Sequence, residues 1–145
     1  LYREARGTDA ELIQRVRIPL NDTDTEFEAQ LLSLAKLLVD LLNEAAITEG
    51  MPSVKEEKGI SKFQRFLESK SYGHVDRDIA LLRQLQALRS RIAAHTSGSS
   101  GQAFLAQELR GLSKPDFVKR LMLDATRMFV DLSELSPSNG APPLD

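Results

Sequence analysis

The chain reads as an all-α protein, a bundle of about four to five helices, on three observations. Leu, Ala, Glu, Gln, Lys and Arg dominate its 145 residues while Trp and Cys are absent, a composition that favours helix over sheet. Three segments repeat apolar residues at alternating three and four positions, which gives each a single buried face. Serine and threonine N-cap patterns head two of these segments. The length suits one domain burying ~68–70% of its unfolded surface, so a single core without crosslinks is expected.

Residues 1–20 are expected to form an N-terminal arm or the remnant of a preceding domain. Ala10 to Arg17 suits a short helix, and Ile18 is steered into extended backbone by Pro19. The chain opens Leu1-Tyr2-Arg3, without an initiator methionine or a charged-then-apolar leader, as an excised piece of a longer protein would.

The bundle proper spans 21–135. Thr23 and Glu26 have capping-box spacing, and Phe27, Leu31, Leu34, Leu38, Leu41 and Ala45 then form the stripe of one long helix over 23–48, stopped by Gly50 and Pro52. Ser61 and Gln64 offer a second capping box, opening a shorter helix that turns Ile60, Phe63, Phe66 and Leu67 inward. Asp76 is placed to cap a third helix over 76–95, with Ile79, Leu82, Leu85, Leu88 and Ile92 as its stripe. Residues 96–101 read as a mobile loop; their glycines lack both the preceding strand and the following Gly-Lys-Ser/Thr of a phosphate loop. A modest helix is expected over Gln102 to Leu112. Ser113, Pro115 and Asp116 then announce the last long helix, 114–135, with Phe117, Leu121, Ala125, Met128 and Leu132 facing inward. The tail, 136–145, holds three prolines and a glycine and is expected to be disordered.

Charge and residue types narrow the chemistry. The net charge of −2 argues against an overall basic nucleic-acid binder, but residues 51–95 carry +4 and the remainder −6. A basic middle of this kind permits a phosphate-facing patch and equally suits a solvated helical surface. No cysteine exists for disulfides, thiol nucleophiles or metal ligation, and the two histidines, His74 and His95, lie outside any metal-ligand spacing, so neither metal nor cofactor is implied. No glycine-framed serine suggests a nucleophile elbow. The most apolar segment, 31–47, is broken by Lys36, Asp40, Asn43 and Glu44, which argues against a membrane span, and the lack of cysteine is compatible with a cytoplasmic setting.

What remains is the end of the third helix. Arg89 and His95 lie on opposite shoulders of its stripe, about 120° apart around the axis and about 9 Å apart along it. A histidine titrates near neutrality and moves protons, while a guanidinium holds phosphate oxygens with a planar fork. Together they are the minimum for metal-free cleavage of a ribose phosphate by its own 2′-hydroxyl. The competing reading is a histidine that ends a helix favourably for the dipole, beside solvated arginines.

The run Leu88-Arg89-Ser90-Arg91-Ile92-Ala93-Ala94-His95 resembles the signature of HEPN domains, an arginine, often a polar residue, then a histidine after four to six positions. Ser90 stands where that family most often has asparagine. The order of helices is similar too, with the motif late in the third main helix and a loop and further helix after it. The resemblance implies an HEPN-like fold and a homodimer in which motif residues of both subunits meet in a cleft. It implies RNA or nucleotide as ligand, and for many members metal-independent endoribonuclease activity in toxin or defence systems, held by an antitoxin or another domain. Arg89 and His95 would then be catalytic, with Ser90, Arg91 and Arg83 as substrate contacts. A helical dimerisation, nucleotide-binding or interaction module without catalysis is the alternative, since one bundle hosts several functions.

Overall fold

A computed structural model describes residues 1–94 and 99–135, Ser99 by its backbone alone. The fold is all-α, with seven α-helices among the described residues: α1 Thr8–Arg15, α2 Asp24–Ala35, α3 Glu44–Thr48, α4 Gly59–Ser69, α5 Val75–Ala93, α6 Ser99–Leu109 and α7 Lys114–Ser133. The expected tail and residues 96–98 of the expected loop fall outside the described residues, whereas residues 99–101, also expected in that loop, are helical, because α6 begins at Ser99 and not at Gln102.

The single long helix expected over 23–48 is the main departure. α2 passes into a π-helical turn, Lys36–Asp40, and the chain opens at residues 41–43 before α3 resumes. The apolar pattern did not register the break, because Leu34, Leu38, Leu41 and Leu42 reach the core on either side of it. Carbonyls that a wider turn leaves unpaired need partners, and the N-terminal arm supplies them. The Tyr2 hydroxyl donates to the Leu38 carbonyl at 3.1 Å, the Arg3 amide to the Leu41 carbonyl at 2.8 Å, and the Arg3 guanidinium to the Asp40 carbonyl. In return the Asn43 amide donates to the Leu1 carbonyl at 2.9 Å, while the Asn43 side chain caps α3 at the Ala46 amide. The Tyr2 ring meanwhile packs beside Phe63 of α4 and Phe129 of α7. Residues 1–3 are thus fastened to the bundle.

Local capping differs in detail from expectation. Thr23 accepts from the Glu26 amide, but the Glu26 carboxylate turns to Arg17 instead of completing the box. Ser61 lies inside α4, which starts two residues earlier without a side-chain cap. Asp76 likewise sits within the first turn of α5, whose N-cap is His74; there Asp76 and Asp78 face the positive end of the dipole. Ser113 caps α7 as expected, accepting from the Asp116 amide at 3.2 Å.

α5 is the central helix. Its Leu82, Leu85 and Leu88 are buried among Phe27 and Leu31 of α2, Phe63 and Leu67 of α4, and Phe117, Leu121 and Met128 of α7. The Phe27 and Phe117 rings meet at 5.9 Å and join α2 to α7. Ahead of α4, Glu57 and Arg65 form a two-bond fork at 3.0 and 2.7 Å, and that hydrogen bond lowers the Glu57 pKa.

One carboxylate is inside this core. Asp78, 1% exposed, accepts from the Tyr72 hydroxyl at 2.6 Å and from Arg77 Nε at 2.7 Å. Arg77 Nη2 then reaches Asp131 of α7 at 2.6 Å. Burial, then the bond to Asp78, raises the Tyr72 pKa; burial, then the field of Asp78, raises that of Tyr2. Asp78→Ala leaves the Tyr72 hydroxyl unpaired while Arg77 keeps water and Asp131, so we expect a loss of about 2–3 kcal/mol in urea unfolding.

The two phenols also set an alkaline limit. Both are held neutral in the folded protein above their ordinary value near 10. Their contribution to stability is therefore complete below about pH 10 and lost as pH rises beyond it, because the unfolded chain ionises first. Absorbance at 295 nm should show neither tyrosine titrating near 10; both should ionise together with the loss of helical circular dichroism.

Candidate functional site

The residues singled out at the end of α5 do not form one cluster. Advancing about 100° per residue, Arg89 and Arg91 point about 160° apart, and each meets a different neighbour. Arg89 is partly buried, with its Nη1 on Asp40 Oδ1 at 2.5 Å. Asp40 ends the π turn, so the widened turn and the arm that holds its carbonyls place this carboxylate against α5. Arg83, two turns earlier, donates to Gln64 of α4 at 2.8 Å. Arg83 and Asp40 border one groove of 470 Å³ between the π turn, α4 and α5, which also takes in Lys58, Ser61 and Gln86.

On the other flank, the Arg91 guanidinium lies over the Phe104 ring of α6, 4.7 Å from its centroid. Beneath α6 is a cleft of 620 Å³, floored by Phe27, Leu31 and Leu88 and edged by Arg91 and Lys114. Lys114 is engaged there, with its Nζ 2.9 Å from Asp24 and 3.0 Å from the Asp22 carbonyl. Ser90 is exposed. His95, two positions beyond the last residue of α5 in the sequence, lies outside the described residues. His74 precedes α5, with its ring edge-on to Tyr72 and its Nε2 3.8 Å from Asp131, far along the helix from Arg89.

Arg83 and Asp40 therefore border one groove, Arg89 is joined to it through Asp40, and Arg91 lies on the opposite flank. Asp40, the partner of Arg89, was legible in the sequence only as a polar interruption of an apolar run; no local signal joins positions 49 residues apart. Phe104, within the helix expected over Gln102 to Leu112, is the support of Arg91. No group of three His, Cys, Asp or Glu side chains among the described residues is arranged to hold a metal ion. No described helix is long and apolar enough to cross a membrane.

The chain matches no protein-family model, no curated protein and no solved structure. The chemistry of the site is therefore read from its own residues. A guanidinium on a helix packed along one face against the core, with a carboxylate fixing one of its nitrogens, offers its remaining N–H groups to an oxyanion in a defined plane. Because the Arg89–Asp40 pair is partly exposed, Arg89→Ala and Asp40→Ala are each expected to cost no more than about 1 kcal/mol. Urea unfolding checks this, and retained stability makes both variants suitable for functional measurements.

Proposed function

We propose that this chain is an HEPN-like all-α domain acting on RNA as a metal-independent endoribonuclease. Arg89 and His95 are its catalytic groups, at a cleft formed between two copies. The reading is supported above all by Arg89, held by Asp40 at the end of the central helix and followed six positions later by His95. His95 takes the proton of a ribose 2′-hydroxyl, whose oxygen attacks the adjacent phosphorus. Arg89 stabilises the charge gathering on the phosphoryl oxygens. The P–O bond to the next nucleotide breaks, its 5′-oxygen takes a proton from solvent, His95 returns its own to solvent, and a 2′,3′-cyclic phosphate remains. Arg83 lies on the Arg89 side and would contact neighbouring phosphates there; Arg91 and Ser90 extend the surface around the helix end.

The alternative, a dimerisation or interaction module without catalysis, is favoured by one observation. The outer face of α7 exposes Leu123 at 51% and Val130 at 57%, seven residues apart on the same side of the helix.

Incubation of a mixed RNA substrate with the protein in EDTA tests the first reading. Cleavage to 2′,3′-cyclic phosphate ends is expected, and Arg89→Ala and His95→Ala should each lower the rate by at least about a hundredfold. Intact RNA with the parent protein, together with a dimer by light scattering that Leu123→Glu dissociates, would instead support the interaction module.

A further inference from the structure

A groove of 550 Å³ opens between α5, the end of α6 and α7, away from Arg89. Arg110, from the α6–α7 turn, and Arg120, from α7, both line it. Each acidic group on its walls has a hydrogen-bond partner, that of Glu108 being a neutral amide that leaves its charge in place. Asp78 is taken by Tyr72 and Arg77, Glu108 accepts from Gln84 Nε2 at 2.7 Å, and Asp124 pairs with Arg127 at 3.3 Å. Arg77, the third guanidinium, is committed to Asp78 and Asp131. Among the described residues neither Arg110 nor Arg120 has a carboxylate partner; Arg120 lies over the Phe117 ring, 4.9 Å from its centroid.

The backbone at Arg110 is left-handed. It follows α6 directly with φ of 49°, in the left-handed region that a glycine usually fills at a helix end. The glycine here is one position later, Gly111 at φ 81°. An arginine thus stands at the strained position beside a glycine that would bear it more easily, and its side chain edges the groove. A cation there also complements the negative end of the α6 dipole.

We propose that this groove binds a phosphate group, with Arg110 and Arg120 as its two guanidinium contacts. On the RNA reading above, on which this part of the inference rests, the phosphate is a backbone phosphodiester. Gln84 meets α6 at Glu108, and Arg91, two turns on, meets it at Phe104. One flank of α5 therefore leads from the groove to the helix end over about 10 Å of helix axis.

The test compares the parent with Arg110→Gly, Arg120→Gln and the double variant. It uses anisotropy of a short fluorescein-labelled single-stranded RNA over a range of salt, ³¹P spectra of added pyrophosphate, and thermal melting. Arg110→Gly relieves the left-handed backbone, so its melting temperature should hold or rise while binding falls, which separates ligand contact from folding. The double variant should bind RNA about tenfold more weakly, with a salt slope shallower by roughly 1.4 for two lost contacts. Unchanged RNA and pyrophosphate binding in the double variant would overturn the groove, even if Arg89→Ala abolished cleavage. Pyrophosphate binding that needs both arginines, with no RNA binding by the parent, would keep the groove as a phosphate site and remove the RNA reading. Binding of neither probe by the parent would overturn the proposal.

Discussion

The arrangement of the bundle depends on one buried carboxylate. Asp78 has almost no contact with water, so its charge is tolerable only while Tyr72 and Arg77 supply the hydrogen bonds that water would have made. Tyr72 lies within the α4–α5 connection and Arg77 in the first turn of α5, and Arg77 continues to Asp131 on α7. The requirement therefore fixes three things together: where α4 must end, how α5 is rotated, and which turn of α7 lies beside it. Hydrophobic burial holds Leu82, Leu85 and Leu88 inside without selecting a rotation so narrowly, because neighbouring apolar faces exchange contacts at small cost.

A second constraint acts at the opposite end of α5. The π turn of 36–40 would leave backbone carbonyls unpaired, and residues 1–3 satisfy them. The consequence reaches beyond stability. With its carbonyl held by Arg3, Asp40 presents its carboxylate to Arg89. On the proposed ribonuclease reading, the arm thereby orients a catalytic guanidinium that it does not touch. Asp40 also opposes phosphate for that guanidinium, which a substrate must outcompete or approach from the remaining N–H groups.

The cations of α5 and its neighbours are divided between two flanks. Arg83 and Arg89 are engaged by polar and acidic partners beside α4 and the π turn, whereas Arg91 rests on an aromatic ring beneath α6. Farther along the α6 side, Arg110 and Arg120 border a groove, and neither has a carboxylate partner among the described residues. A near-neutral chain can thus present a local surface favourable to phosphate. Net charge sums over pairs that cancel, while recognition depends on the few that do not.

The helical class, the capping of α2 by Thr23 and of α7 by Ser113, and most of the inward residues of α5 and α7 were determined by the sequence itself. Apolar spacing and side-chain caps act within a few residues along the chain, so they are legible without the fold. The π turn was not legible, because the positions before and after it all bury leucines and the apolar rhythm passes through unbroken. Nor were the partners of the candidate site. Arg89 was singled out by its spacing from His95, but its pairing with Asp40 spans 49 positions. The separation of Arg89 from Arg91 by flank, and the meeting of Arg110 with Arg120 across a groove, likewise follow from how helices pack. Only the tertiary structure decides these, since a contact between distant residues is set by the docking of whole helices, to which local propensity is blind.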